Sequence, residues 1–365
     1  MRELRISIAT VTFLLISIGV VMIYSSSGIY AMQELGDGLY FLKRHLLFLM
    51  LGCALTAGIM AMDYRDLRKI AKPLLLATIV LLILVLIPFI GKASYGARRW
   101  FKVGMFNFQP TEFAKLAMLI YAADFLARKQ HEIKSFRRGF MPLLSVVGVV
   151  CALILKQPDL GSAFLIAAIV LVMMFLAGAN LWHLGLLSLL ALPGFYFLVV
   201  RVPYRWARIV TFLDPWQDRQ GSGFQLTQSQ IAFGAGGLTG VGLGHSIQKL
   251  FYLPAAHTDF ILSIIGEETG FAGAFSVILL FIYLIWEGAR IAKRTNDPFG
   301  YFLSCGIVAM IGLQTAVNVG VTIGALPTKG LPLPFISYGG SALVVNMMMI
   351  GLLLNISRTE DSGGV

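Results

Sequence analysis

The stretch SIATVTFLLISIGVVMIYS, residues 7–25, carries no charged side chain. A helix that crosses a lipid bilayer needs about 20 mostly apolar residues in succession, and this stretch is long enough. Similar apolar stretches recur along the rest of the chain. The predicted spans are residues 7–25, 45–62, 73–91, 111–127, 140–156, 160–178, 182–200, 260–287, 299–325 and 338–356. This pattern predicts an all-α, polytopic integral membrane protein with about ten transmembrane helices. We expect them to form a single membrane domain over residues 1–365.

The composition supports the same class. Of the 365 residues, 58% are hydrophobic and only 13% are charged, and the mean hydropathy is +0.81. Because an ordinary soluble domain contains roughly 25% charged residues, soluble, collagen-like and disordered proteins are excluded. The three cysteines, Cys53, Cys151 and Cys305, lie far apart in apolar runs. We interpret them as small core residues rather than as disulfide partners or metal ligands.

The formal net charge of +11 follows from membrane topology rather than from a nucleic-acid partner. With ten spans and a cytoplasmic N-terminus, the short inner loops are rich in Lys and Arg, as the positive-inside rule requires. The predicted outer segments also have more basic than acidic side chains. Either this face contacts solvent and lipid headgroups, or Arg and Lys form a site for an anionic ligand with phosphate oxygens.

Ionisable side chains within a membrane span are costly and often functional. The predicted spans contain six of them: Glu112, Lys115, Asp124, Glu267, Glu268 and Glu287. Glu112 and Lys115 lie three residues apart and can pair on one helix face, either as a structural ion pair or as part of a binding cavity. Asp124 and Glu287 lie near inner helix ends and can reach water. We expect Glu268 to meet a neighbouring helix.

Residues 201–259 form the one long segment between spans, predicted to be a large extracytoplasmic loop. Its sequence GAGGLTGVGLG, residues 234–244, has no preceding strand and no GK[ST], so it does not match a nucleotide-binding loop. We interpret the glycine-rich part as a re-entrant or interfacial segment buried in protein.

The loop ends at Asp259, at the mouth of the eighth predicted span. Asp259 or its neighbour Thr258 could cap the free amides of that helix. Alternatively, Asp259 could act as a general base in a partly dehydrated cavity. Lys329, between Pro327 and Pro332 in a stiff outer segment, either binds an anion or is incidental to a rigid connector.

Taken together, these segments resemble the SEDS family (shape, elongation, division and sporulation), the RodA/FtsW membrane glycosyltransferases. The matching stretches are YGARRWF (95–101), FQPTEFAKLAML (108–119), QPDLGSA (157–163), PYRWARIVTFLDPWQD (203–218), GFQLTQSQIAFGAGGLTGVGLG (223–244), LPAAHTDFILSIIGEETG (253–270) and PTKGLPLPFISYGGSALV (327–344). They cover almost the whole chain in the expected order. AHTDF together with PTKGLPLPFISYGG is more similar to the division branch, FtsW, than to the elongation branch, RodA. The chain departs from the common family pattern at Ala255 and Ala235, which stand where Glu and Ser are frequent.

The resemblance implies a peptidoglycan glycosyltransferase that polymerises glycan strands from lipid II on the outer face of the bacterial cytoplasmic membrane. By position in the motifs, Asp259 corresponds to the family's catalytic aspartate. The implied substrate-binding residues are Arg98, Arg99, Glu112, Lys115 and Lys329. A divalent cation, Mg²⁺ or Mn²⁺, could assist, although the sequence has no convincing cluster of metal-binding carboxylates. No organic cofactor is implied.

The same resemblance implies partners and a location. The partners are lipid II, the growing glycan chain, a class B penicillin-binding protein that acts as a transpeptidase, and other division or elongation proteins. Both termini are expected in the cytoplasm. Two alternative functions remain open: a lipid II flippase, and a non-catalytic scaffold for the transpeptidase. The absence of a clear inverted repeat in the sequence argues against the flippase.

Overall fold

The computed structural model describes residues 1–94, 97–104, 106–221, 223–250 and 252–362. Its helices are α1 (Arg2–Leu35), α2 (Tyr40–Ala61), α3 (Leu67–Leu84), α4 (Pro110–Arg128), α5 (Met141–Lys156), α6 (Leu160–Leu176), α7 (Leu181–Phe195), α8 (Pro203–Leu213), α9 (Phe224–Gly236), α10 (Ile261–Arg294), α11 (Pro298–Thr322) and α12 (Gly340–Ser362). Short π-helical turns precede α5 and follow α7. The chain is therefore a helical bundle, as its long apolar stretches predict.

Within these described ranges, seven helices are long and apolar enough to cross a membrane. They are Arg2–Leu35, Tyr40–Ala61, Phe136–Lys156, Leu181–Val200, Ile261–Arg294, Pro298–Thr322 and Gly340–Asp361. The other three predicted spans coincide with α3, α4 and the shorter apolar helix α6. The prediction of an all-α polytopic membrane protein is confirmed. The third span ends earlier than predicted, because α3 stops at Leu84.

A small antiparallel sheet, which the sequence analysis did not predict, follows α3. Its strands are β1 (Lys92–Ser94), β2 (Ala97–Val103) and β3 (Phe106–Phe108), in the order β1-β2-β3. Phe108 joins the sheet to the bundle, since its ring lies 4.7 Å from that of Phe113 on α4. Such a short sheet is stable only because it packs on a helix, a tertiary contact that local sequence patterns do not reveal.

The N-terminus and the last described turn of α12 lie at the same end of the bundle. The N-terminal amine and Arg5 pair with Asp361 of α12, at 3.8 and 3.1 Å. Asp124, at the end of α4, pairs with Arg128 at 2.7 Å and with Arg68 at 3.6 Å. We call this the terminal end. The segments that surround Asp259 lie at the other end, which we call the Asp259 end.

Helix α10 is broken at Gly270, where φ is 70° and ψ is −170°. The break releases backbone groups that residues 237–242 satisfy with four hydrogen bonds of 2.8–3.2 Å: Val241 N to Glu267 O, Gly242 N to Glu268 O, Phe271 N to Gly237 O, and Ala272 N to Leu238 O. The approach is close: a Cβ at Gly240 would lie 2.2 Å from Glu268 O. This contact is the physical reason for glycine at position 240. The segment as a whole is not buried in protein as expected, since Leu238, Val241 and Leu243 are 75%, 44% and 60% exposed.

Candidate functional site

Asp259 lies in the turn that precedes α10 rather than on the helix itself. The helix begins at Ile261, its N-cap residue is Phe260, and no side chain caps it. The hydroxyl of Thr258 instead donates to Ala255 O at 3.2 Å. The N-cap alternative for Asp259 and Thr258 was therefore wrong, because the turn ends one residue later than that alternative requires. The Asp259 carboxylate therefore makes no capping hydrogen bond with the backbone amides of α10.

Asn318 of α11 fixes the backbone of Asp259. Its amide nitrogen donates to Asp259 O and to Leu331 O, both at 2.9 Å. One buried side chain thus joins the turn before α10 to the segment that carries Lys329. A second connection lies nearby, where Ser337 Oγ donates to Thr258 O at 2.5 Å. Asp259 is therefore held in place from two sides.

The carboxylate of Asp259 is half-buried. A Cβ built on Gly330 would lie 3.4 Å from its Oδ2 atom, so this carboxylate faces the backbone of the Lys329–Gly330 segment. Burial raises the pKa of Asp259 to about 6, and the positive charge of Arg208 opposes that rise. At neutral pH the group is mostly ionised but basic enough to accept a proton, which suits a general base.

Lys329 lies at the same end of the bundle. Its ammonium nitrogen sits 4.6 Å from the centre of the Phe164 ring, on the first turns of α6. Burial lowers the pKa of Lys329. Arg208 of α8 comes close to the same segment, with Nη1 3.5 Å from Thr328 O. The structure thus brings together Asp259, Lys329 and a cation that the sequence analysis did not select.

Arg98 and Arg99, both on β2, differ in their surroundings. Arg99 donates from Nε to Gln157 O at 2.8 Å and from Nη2 to Pro158 O at 2.5 Å, in the turn before α6. Arg98 is half-buried and pairs across the strands with Ala93. Because much of its guanidinium is already bonded, Arg99 fastens the sheet to α6, whereas Arg98 is the better candidate for binding an anion.

Glu112 and Lys115 form a closed ion pair on α4. The Lys115 Nζ to Glu112 Oε1 distance is 2.7 Å, and the side chains are only 1% and 5% exposed respectively. Thr111 beside them donates to Gln157 Oε1 at 3.2 Å, so the pair lies near the turn that Arg99 holds. This geometry favours the structural alternative for the pair. Its role in substrate binding stays a prediction.

Sequence reasoning missed Arg208, Asn318 and Phe164. Asn318 follows Gln314 by one helical turn on an otherwise apolar helix, and both donate to the 331–332 backbone. Two amide side chains at that spacing within a span are a usable signal. The contacts of Arg208 and Phe164 join distant segments, and no local pattern indicates them.

The structure does not support a protein-built metal centre at this site. Across the described parts of the chain, no group of three His, Cys, Asp or Glu side chains could hold an ion. Asp159 is engaged by Ser162, whose backbone N and Oγ both donate to it. These residues do not fit an all-protein Mg²⁺ or Mn²⁺ site, so the metal stays an untested prediction and no chemical step below depends on one.

An apolar cavity of about 630 Å³ lies elsewhere, between α6, α10 and α11. Leu176, Ile285 and Leu313 are among its walls, and Asp259, Lys329 and Arg208 do not line it. Its lining offers no carboxylate. This cavity is therefore not the candidate catalytic site.

Comparison with known proteins gives a consistent result. Residues 5–362 match the family model of FtsW, RodA and SpoVE, described as "Cell cycle protein". A probable peptidoglycan glycosyltransferase FtsW of Geobacter metallireducens is 48% identical over 339 residues, which is 93% of this chain and 90% of the relative. Stage V sporulation protein E of Bacillus subtilis is 47% identical over 348 residues, 95% of each chain.

Solved structures show the same likeness. A chain of a peptidoglycan synthase complex, studied for the coordination of polymerization and crosslinking, has a TM-score of 0.78 at 29% identity and covers 97% of both chains. The rod shape determining protein RodA of Thermus thermophilus has a TM-score of 0.70 at 29% identity, covering 97% of this chain and 96% of its own. Sequence and fold therefore agree over the whole length.

Proposed function

The chain belongs to the FtsW/RodA/SpoVE family and is a membrane-embedded peptidoglycan glycosyltransferase, and on that premise we propose that Asp259 is its general base. The observation that carries the proposal is the half-buried Asp259 carboxylate, pKa about 6, beside Lys329 and Arg208. The relatives' names support glycan polymerisation for cell division or sporulation. The substrate we propose is lipid II.

Asp259 takes the proton from the 4-hydroxyl of the GlcNAc of an acceptor lipid II. The hydroxyl oxygen attacks the anomeric carbon of a lipid-linked donor, with inversion. The new glycosidic C–O bond forms as the bond from that carbon to the diphosphate oxygen breaks. General-base catalysis of this type contributes about 10²–10⁴-fold. Asn318 holds Asp259 through its backbone, which leaves the carboxylate free for this step.

The leaving group is undecaprenyl diphosphate, whose negative charge needs stabilisation as the bond breaks. Lys329 belongs to the 328–330 segment and Arg208 contacts it at Thr328 O, so both cations are placed to supply it. Arg98 is the third candidate. Arg99 and the Glu112–Lys115 pair hold the surrounding segments in position, and direct contact of these three residues with substrate is the weaker part of the proposal.

The topology that goes with this mechanism has both termini in the cytoplasm and the Asp259 end at the outer face of the bacterial cytoplasmic membrane. The basic loop residues of the terminal end, including Arg65, Arg68 and Arg138, support this orientation. Residues 201–259 then form the large extracytoplasmic loop. The solved relative from a peptidoglycan synthase complex supports a partner enzyme, which we propose is a class B penicillin-binding protein transpeptidase.

The test is polymerisation of labelled lipid II by the purified chain with its transpeptidase partner in detergent. Asp259→Asn keeps the size of the side chain but cannot accept the proton. We expect glycan strands from the wild type and a loss of about 10²–10⁴-fold in the variant. Near wild-type turnover in Asp259→Asn refutes the assignment. Transfer of lipid II across vesicles without polymer would instead support a flippase.

A further inference from the structure

Two neighbouring carboxylates, Glu267 and Glu268, lie just before the break in α10 and hold the same stretch of loop. Glu267 is 1% exposed. It accepts hydrogen bonds from Ser246 Oγ, from Ile247 N at 2.9 Å and from Gln248 N at 3.4 Å. Its negative charge is therefore balanced by donors from three successive residues, which fixes the backbone of residues 246–248.

Glu268 holds the next residue of the loop. Its Oε1 atom lies 2.8 Å from Lys249 Nζ, and these two side chains are 0% and 4% exposed. Ser25 of α1 donates to both Glu268 oxygens at 2.7 and 2.8 Å, and Lys249 Nζ is 3.1 Å from Ser25 Oγ. This three-residue cluster joins α1, α10 and the loop by charge-assisted hydrogen bonds.

The loop continues from Lys249 to Asp259 through hydrogen-bonded turns. Leu253 N donates to Gln248 O at 2.9 Å, and the Leu253 side chain is buried. Thr258 N donates to Ala255 O at 3.0 Å. These two hydrogen bonds link residue 248 to residue 253 and residue 255 to residue 258, so they give a route of contacts from the neighbourhood of Lys249 towards Asp259.

Packing alone does not hold Lys249. A cavity of about 280 Å³ lies beside it, bounded by Tyr24, Gly28 and Leu39. The loop has room to shift there, but a shift would leave the charge of Lys249 or Glu268 buried without a partner, which is strongly unfavourable. The ion pair therefore holds Lys249 beside this cavity, and the hydrogen bonds to Glu267 hold the three residues before it.

We propose that Lys249, Glu268 and Ser25 are positioning residues that hold the Asp259 carboxylate in its reactive geometry. They touch neither Asp259 nor Lys329, and they act through the 246–259 backbone. The inference rests on the proposed role of Asp259 as general base. Small misplacements of a reacting group cost large factors in rate, so cutting this connection lowers turnover more than substrate affinity.

The first experiment uses Lys249→Met in the full chain with its partner enzyme. Hydrogen–deuterium exchange reports on peptides that cover residues 246–259, and lipid II polymerisation gives kcat, KM and the pH profile. We expect faster exchange in those peptides, at least a tenfold loss of kcat, little change in KM, and an altered acid limb of the profile. Lys249→Arg, which keeps the charge, recovers most of the turnover.

A matched control breaks a pair at the other end of the same helix. Arg290 Nη1 lies 2.8 Å from Glu287, whose side chain is 4% exposed. Arg290→Met should leave the exchange of residues 246–259 and the turnover per folded molecule unchanged. If Lys249→Met folds poorly, Lys249→Met/Glu268→Met removes both charges, leaves neither unpaired and tests the same connection.

The proposal is overturned if the folded Lys249→Met protein, or the double variant, keeps wild-type kcat and pH profile, whatever its yield or exchange rate. Failure of the base assignment is a separate result. An active Asp259→Asn protein refutes the base, whereas the exchange measurement on residues 246–259 does not depend on any catalytic role. Faster exchange and lower kcat together, against an unchanged Arg290→Met control, support the positioning role.

Discussion

Two sets of opposite charges lie at the Asp259 end of the bundle. Glu112 and Lys115 form a buried ion pair, whereas Asp259 and Lys329 do not pair with each other. Glu112 and Lys115 are 2.7 Å apart, almost fully buried, and neutralise each other. Asp259 and Lys329 come from two neighbouring segments, and among the described residues neither has an ion-pair partner within 4.0 Å. Instead, the positive charge of Arg208 lowers the pKa of Asp259 from a longer distance, and the Lys329 ammonium lies 4.6 Å from the centre of the Phe164 ring.

The difference shows how one protein uses charge for two purposes. A closed, buried pair satisfies its own charges and holds the surrounding helices in register. Charges without partners keep their capacity to bind or to exchange protons, and burial shifts their pKa values towards neutrality. The protein can keep such groups only because Asn318 and the 327–339 segment hold them in place.

The largest expected effect comes from opening the closed pair. Lys115→Met leaves the Glu112 carboxylate buried without a partner, which should lower the free energy of unfolding by about 3–5 kcal/mol. Glu112→Gln/Lys115→Met should recover most of that stability. Thermal unfolding in detergent and polymerisation per folded molecule check both. A double variant that is stable but inactive would show that Glu112 and Lys115 act in the substrate site rather than only as a structural ion pair.

Removal of the Lys329 charge should lower the rate of turnover rather than the stability of the fold. Lys329→Met loses stabilisation of the leaving diphosphate, and we expect turnover to fall about 10²–10³-fold. The melting temperature should hardly change. Lys329 has no ion-pair partner among the described residues, so its removal leaves no buried charge unpaired. Lys329→Arg should retain part of the activity. A large loss of stability with normal turnover per folded molecule would contradict the comparison.

A smaller effect is expected on the pH dependence. The base must be ionised, so activity should fall as the pH drops below about 6, the pKa of Asp259. Arg208 lowers this pKa, and Arg208→Ala should therefore move the acid limb of the kcat profile to higher pH, with Arg208→Lys close to wild type. An acid limb that stays in place or moves to lower pH would exclude electrostatic coupling between the two residues.

The smallest effect concerns the stability of Asp259→Asn. The folded-state pKa of Asp259 lies above its ordinary value of 3.8, so the folded protein binds this proton more tightly than the unfolded chain. Stability is therefore lost as the pH rises through this range, and the ionised carboxylate destabilises the fold at neutral pH. At pH 7.5 the variant should melt at or above the wild-type temperature, with no gain below pH 4. A lower melting temperature would assign Asp259 a structural role.

Much of the fold and site could be predicted from the sequence. Apolar runs of membrane-spanning length predict where helices form, because a bilayer leaves the backbone few other ways to satisfy its hydrogen bonds. All ten predicted spans fall on helices of the described structure. Asp259 and Lys329 could also be selected from the sequence, because they lie in the AHTDF and PTKGLPLPFISYGG stretches that carry the resemblance to the RodA/FtsW family.

What the sequence alone determined was therefore the helical membrane class and which charged groups exist near its outer boundary. The spacing of Glu112 and Lys115 already allowed them to pair, but only the tertiary structure decided that Lys249 pairs with Glu268 and that the Asp259 carboxylate has no ion-pair partner among the described residues. The same holds for the Gly270 break, whose unpaired backbone groups form hydrogen bonds with residues 237–242. The physical reason is that charge pairing and hydrogen bonding act over a few ångströms, between segments that the chain itself separates by many residues.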